Sequence, residues 1–265
     1  MWEIATLASD NKVRLLIDAE QTYYQPAIDN YVLSLQKQFN AAKDYDEPII
    51  FNTYQCYLKD AKDRVATDLD RAHRGGYHFA AKFVRGAYMI AERERAEALG
   101  YESPIHDTLE DTHRCYNETA EMALRDRAEK GTKGEVMIAS HNRQSVEQII
   151  ERMIELDIKV RSNEERMQRR VHNQIRSRVS NAVHSSWQPD SGALHFAQLL
   201  GMRDDLSFSL GKAGYNAYKY VPYGLVSEVM PYLIRRAQEN SDITKGMGEE
   251  LQMIGQEIRR RVGIA

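Results

Sequence analysis

The chain has 265 residues, of which 42% are hydrophobic and 28% charged, and a formal net charge of −3. That profile is one of a globular fold of one large or two small domains, and it excludes a general affinity for polyanions, so no nucleic-acid partner is expected. There is no apolar run of roughly eighteen residues to span a bilayer, and two cysteines, Cys56 and Cys115, are too few for a disulfide framework and point to a reducing compartment.

In chain order, the opening stretch MWEIATLASDNKV carries neither a secretory signal nor the Arg/Ser-rich pattern of an organelle presequence. Short apolar runs then predict strands over 14–18, 49–54, 79–85, 136–140, 194–199 and 217–221. Amphipathic stretches predict helices over 25–40, 57–75, 108–130, 145–156 and 225–239. In the fourth of these, Val146, Ile149, Ile150, Met153 and Ile154 make one apolar stripe at helical spacing. The alternation of strand and helix implies a parallel sheet, either a barrel or a doubly wound sheet. Residues 160–191 form a connection unusually long for such a fold, basic through Arg161, Arg166, Arg169, Arg170, Arg176 and Arg178. It reads as a solvated loop or a disordered insertion; the sharper alternative is a docking surface for an acidic partner or a lipid headgroup.

The strands end in chemically loaded residues: Asp18 and Glu20, Asn52 and Gln55, Arg85 and Gly86, Ser140 to Asn142, Gln198 to Met202, and Tyr220 to Gly224. Strand carboxyl ends form the active-site face of a (β/α)₈ barrel, so these endings favour a barrel. No GxGxxG follows a strand, which counts against a dinucleotide-binding sheet. On the last helix, Tyr232 precedes Arg235 by three residues and Arg236 by four, which sets a phenol beside two guanidiniums. Paired arginines suit a carboxylate, although on a helix they are ordinarily a solvated face. None of the eight histidines stands at metal-ligand spacing with cysteines or carboxylates, so no metal is expected.

The segments IDAEQTYYQP, FNTYQCYLKD, KFVRGAY, ASHN, FAQLLGM, YKYVPYG and PYLIRRAQEN, in this order, strongly resemble the eukaryotic proline dehydrogenase family. The resemblance runs from Arg14 to about Glu239, apart from the insertion. It implies a (β/α)₈ barrel with FAD across the strand carboxyl ends and the last helix over the barrel mouth. It also implies oxidation of L-proline to 1-pyrroline-5-carboxylate, with electrons passed to a quinone. The expected location is the mitochondrial matrix or inner membrane, with peripheral membrane association. By position, Arg235 and Arg236 grip the proline carboxylate, Tyr232 shapes the same lid, and Leu199 forms an apolar wall. Tyr220 packs against the proline ring and argues against the similar hydroxyproline dehydrogenases, which carry a smaller serine there. Asp18 and Tyr220 are the candidate catalytic residues, with Glu20 a weaker one. Gln55, Lys82, Val84, Arg85, Gly86, His141 and Asn142 fall at FAD-binding positions. The family barrel has two further strands before the one ending in Asp18. The expectation is therefore a single catalytic domain over 1–265 that is shortened at its N-terminus and lacks the first two strands. Two alternatives stay open: a non-catalytic isoform that binds or regulates the full-length enzyme, and a hydroxyproline dehydrogenase.

Overall fold

The computed structural model describes residues 1–45, 47–158, 194–239 and 255–263; the basic 160–191 stretch lies outside the described residues. Six parallel strands follow one another in sequence order, each hydrogen-bonded to the next. They are β1 (Leu15–Leu16), β2 (Ile50–Gln55), β3 (Ala80–Val84), β4 (Glu135–Ala139), β5 (Leu194–Leu199) and β6 (Asn216–Tyr220). The helices of the described residues include α1 (Trp2–Asp10), α2 (Gln25–Phe39), α3 (Ala61–Gly75), α4 (Met89–Leu99), α5 (Leu109–Lys130), α6 (Arg143–Glu155), α7 (Asp204–Lys212) and α8 (Val226–Glu239), and residues 255–262 are helical as well.

Alternation along each strand separates two faces. One face sends Tyr54, Ala81, Phe83, Val136, Ile138, Leu194 and Phe196 against apolar residues of α3, α5, α6 and α7, among them Val65, Leu69, Tyr116, Leu124, Ile149, Met153 and Leu206. Each large apolar side chain buried there contributes about 1.5–3 kcal/mol, and this layer is the principal core. The other face carries Phe51, Thr53, Gln55, Lys82, Val84, Met137, His195 and Tyr218 in matching register. That face is concave. Arg14, just ahead of β1, reaches past two strands to Glu135 at the start of β4, with Nε donating to Oε2 at 2.8 Å and a second nitrogen to Oε1 at 3.0 Å. His195 Nε2 lies 2.9 Å from the same Glu135 Oε2, and both of these residues are buried. The sheet is thus a curled half-barrel. Among the described residues β1 pairs only with β2, and β6 only with β5.

The strands match the sequence expectation within a residue or two, except that β1 is shorter than 14–18. Its ladder nevertheless continues to Ile17, whose amide donates to the Phe51 carbonyl at 3.0 Å. The helix expected from residue 57 starts instead at Ala61. Residues 56–59 form a turn held from outside: the Cys56 and Tyr57 amides donate to the Val84 and Arg85 carbonyls, and the Lys59 amide to the Pro104 carbonyl, each at 2.8 Å. Leu58 bridges Ile105 in the antiparallel sense. Tertiary pairing here overrides a local helical pattern. Helices α1, α4 and α7 were not among the sequence expectations.

Candidate functional site

The carboxyl ends of β2 and β3 lock together around one glycine. Gln55 is buried; its Nε2 donates to the Glu20 carbonyl at 2.8 Å, and its Oε1 accepts from the Tyr57 hydroxyl at 3.1 Å. One N–H and one lone pair of the amide remain for a ligand. Glu20 is itself held through its amide, which donates to Gln25 Oε1 at 2.9 Å. Two residues on, the Thr22 amide and hydroxyl donate to the buried Glu92 carboxylate of α4 at 2.6 and 2.7 Å. The loop after β1 is therefore anchored at both ends. Gly86 adopts φ +132°, and a Cβ there would meet the Tyr57 ring at 2.4 Å. Both the backbone angle and the ring disfavour a side chain at this position.

Two cations sit next to this lock. Lys82 projects from the concave face and forms an ion pair with Asp18; the lysine side chain is 13% exposed and the aspartate 64%. Arg85 is placed differently. It donates to His113 Nδ1 at 2.9 Å and to the Ser140 and Ser145 hydroxyls at 2.7 and 2.8 Å, and its guanidinium lies 4.3 Å from the Tyr116 ring centroid. Burial lowers its pKa, opposed by Tyr116 and Cys56. A guanidinium keeps its charge in a protein, so Arg85 is a largely covered cation whose hydrogen-bond partners, among the described residues, are neutral. That environment fits an anionic ligand such as a pyrophosphate.

At the β4 end, His141 Nε2 accepts from the Leu199 amide at 3.0 Å, while the His141 carbonyl accepts from Arg203 at 3.1 Å. Burial first, then the Lys219 and Arg203 charges, push the His141 pKa down to about 4. The ring is neutral at ordinary pH, and the bond from Leu199 assigns its proton to Nδ1. Asn142 caps α6, its side-chain oxygen accepting from the Ser145 amide at 3.0 Å.

The third group forms where β6 meets α8. The Tyr220 and Tyr232 rings are 5.7 Å apart, and the Arg236 guanidinium stands 5.5 Å from the Tyr232 ring centroid. Tyr232 has its pKa raised to about 12, by burial first, with Tyr220 and Asp18 adding and Arg236 opposing. Asp18 thus lies within electrostatic reach of this aromatic cluster. Leu199 pairs with Tyr220 in register, and the next amide, Leu200, donates to the Tyr220 carbonyl at 3.1 Å. Arg235 is on the same helix, and its side chain lies outside the described residues.

The sequence-expected residues therefore gather along one edge in three groups: Gln55 and Glu20 with Gly86; Lys82 with Asp18; and Leu199, Tyr220, Tyr232 and Arg236. Val84 ends β3 opposite Gln55 in register. Sequence reasoning missed Tyr57, Glu92, His113, Ser145 and Arg203, which position the others. Only Tyr57 offered a signal, as the second tyrosine of NTYQCY next to Gln55.

The family model described as proline dehydrogenase matches residues 1–170 and 171–249. Over 259 residues the chain is 44% identical to proline dehydrogenase 1, mitochondrial, of Homo sapiens, covering 98% of this chain and 38% of that protein. Identity to the Drosophila melanogaster protein of the same name is 41% over 265 residues, again 98% of this chain and 34% of the relative. The hydroxyproline dehydrogenase of Xenopus laevis is 39% identical over 259 residues, 98% of this chain and 48% of that protein. The chain thus spans between about a third and a half of these relatives' length. A solved structure of proline utilization A from Bdellovibrio bacteriovorus, inactivated by N-propargylglycine, shares the fold with a TM-score of 0.71. It is 21% identical, and the match covers 90% of this chain and 21% of that one.

Proposed function

Since this chain belongs to the proline dehydrogenase family, we propose that it oxidises L-proline to 1-pyrroline-5-carboxylate, with FAD held along the carboxyl edge of the sheet. The observation that carries this reading is the cluster of Tyr220, Tyr232 and Arg236, close to the Asp18–Lys82 pair. Arg236, together with Arg235, receives the proline carboxylate, for which each guanidinium offers a planar two-donor fork. Tyr220 and Leu199, neighbours across β5 and β6, bound the pyrroline ring as it forms. The secondary amine must be neutral at that moment, because an ammonium has no lone pair to push into the breaking C–H bond. Asp18 fixes the direction of the Lys82 cation, a positioning role. Gln55, Lys82, Val84 and Gly86 would line the flavin ring, and Arg85, His141 and Asn142 the ribityl and phosphate side. FAD, when bound, supplies the hydride acceptor. A quinone as the final acceptor, a mitochondrial location and contact with the inner membrane complete the proposal; the names of the relatives support the location.

Two other readings have an observation behind them. Hydroxyproline dehydrogenases match almost as well, but Tyr220 fills the space a ring hydroxyl would need. The edges of β1 and β6, which have no strand partner among the described residues, favour a non-catalytic chain that pairs with a complete enzyme. A visible absorbance spectrum, taken before and after anaerobic addition of L-proline, separates them. A flavin band that bleaches with proline more readily than with 4-hydroxyproline is the expected result. A protein that stays colourless with added FAD would reject catalysis by this chain. In an active preparation, Arg236→Met should raise the proline KM at least about tenfold, a loss of roughly 1.4 kcal/mol or more of binding, with flavin still bound. An unchanged KM would sink the carboxylate clamp.

A further inference from the structure

The contacts at the carboxyl edge close into a ring. The Glu20 carbonyl accepts from Gln55 Nε2 at 2.8 Å, Gln55 Oε1 accepts from the Tyr57 hydroxyl at 3.1 Å, and the Tyr57 ring packs against Gly86. Helix α4 begins at Met89, just beyond Gly86, and leads back to where the ring starts. On α4, Glu92 accepts from the Thr22 amide and hydroxyl at 2.6 and 2.7 Å, and Thr22 follows closely on Glu20. One turn further, the Arg95 guanidinium lies 4.3 Å from the centroid of the Tyr23 ring. One helix thus grips two consecutive residues of the loop after β1. Glu92 is 1% exposed, and its hydrogen-bond partners among the described residues are neutral. A buried carboxylate facing neutral donors costs stability that an apolar side chain would not. Packing therefore does not explain a glutamate at this position, whereas the loop it holds does.

We propose, on the flavin reading above, that Glu92 is a positioning residue for the oxidation: by holding Thr22 it fixes the Glu20 carbonyl, and through that carbonyl the direction in which Gln55 presents its amide to the flavin ring. A glutamine amide is two-sided, and turning it over exchanges donor for acceptor. Two unlike partners meet the Gln55 amide, the Glu20 carbonyl on its nitrogen and the Tyr57 hydroxyl on its oxygen. The hydroxyl can donate or accept and so does not choose between the two orientations; the carbonyl can only accept and does. Glu20 therefore decides which side of Gln55 faces the ligand. The Glu20 amide has a tether of its own, donating to Gln25 Oε1 at 2.9 Å, so loss of the Thr22–Glu92 contact loosens the carbonyl without freeing the loop. Asp18, earlier in the same loop, is held separately by its ion pair with Lys82. The defect should accordingly appear at the flavin and leave the grip on proline unchanged.

The test compares Thr22→Val, which removes the hydroxyl and keeps the shape, Thr22→Ser, which restores it, and Glu92→Met, which removes both acceptors and keeps the helix packed. In flavin-loaded protein, Thr22→Val and Glu92→Met should bleach at saturating proline about ten- to a hundredfold more slowly than the parent. Their flavin potential should move to a more negative value, since an oriented donor at the ring is lost. The proline concentration giving half the maximal rate should stay where it is, and Thr22→Ser should behave as the parent does. Hydrogen exchange of the chain without flavin gives a readout independent of turnover: the Thr22 amide should exchange faster in Glu92→Met. Parent rates and potentials in Thr22→Val and Glu92→Met would overturn the proposal, as would an equal slowing in Thr22→Ser. The same slowing and the same shift of potential in Arg14→Met, which weakens the fold from the amino ends of the strands, would reduce Glu92 to a structural role and overturn it too. Should Glu92→Met not fold, the two Thr22 variants decide alone. A parent chain that takes up no flavin would sink the reading beneath the proposal, and the proposal with it.

Discussion

Gly86 shows what a single residue can and cannot reveal. Its place in KFVRGAY marks a turn after a strand, and the sequence suggests that glycine is there to let a ligand approach. The structure adds a second reason for glycine, because the Tyr57 ring packs where a Cβ would stand and the residue adopts a positive φ. Gly86→Ala should therefore destabilise the fold by about 2–4 kcal/mol, the strained backbone and the clash acting together. A chemical denaturation midpoint measures this. Adding Tyr57→Ala should recover part of the loss, the clash and not the strain, in a double-mutant cycle; an alanine variant as stable as the parent would reject the close approach. Asn142 makes a similar point. Its motif suggests a cofactor contact, while its side-chain oxygen caps α6. That cap was legible locally, since Ser145 stands three residues on at the start of an apolar stripe. The distant partners of Arg85, namely His113, Ser140 and Ser145, were not, because only folding brings them to one guanidinium.

Between the residue and the fold lies the junction of β4, α6 and β5, where His141 ties two strand ends through the Leu199 amide. The imidazole titrates ordinarily near 6.5, and its folded value is lowered to about 4. Between those values the unfolded chain binds a proton that the folded chain refuses. Stability from this site is thus fully present above about pH 6.5 and is lost as the pH falls towards 4, by up to about 3 kcal/mol. Thermal unfolding at pH 7.5 and 4.5, in the parent chain and in His141→Gln, isolates the effect. The parent should lose more stability than the variant over that interval; equal losses would mean that His141 titrates as it does in water. Element boundaries were the less legible part at this scale. Strands announced themselves by apolar runs, but the start of α3 did not, because pairing of residues 57–59 with the 104–106 segment is decided by partners roughly fifty positions away.

At the scale of the molecule, the number and order of parallel strands was readable from the alternation of patterns, and the structure has those six in that order. The curvature was not. It is marked by Arg14 reaching Glu135, 121 positions along the chain, with His195 on the same carboxylate, and no local signal encodes such a link. Among the described residues, Arg14→Met would leave the buried Glu135 carboxylate only its His195 contact. It should cost about 3 kcal/mol, in line with breaking one side of a buried ion pair. Urea unfolding monitored by circular dichroism measures the loss, and a change below about 0.5 kcal/mol, typical of an exposed pair, would reject the link.

In β2 the same six residues serve two sides of the sheet by turns. Tyr54 belongs to the helix-covered layer, whereas Thr53 and Gln55 belong to the concave one. Position along this strand therefore acts as a parity code. Inserting a single residue ahead of Thr53 would exchange the two alphabets from that point to the strand's end. Gln55 would turn into the helix layer and Tyr54 into the hollow, with every residue of the edge still in the chain and none facing its correspondent. Substitutions at solvated positions are forgiven one at a time, but a frame slip of one in this strand would silence the edge at a stroke.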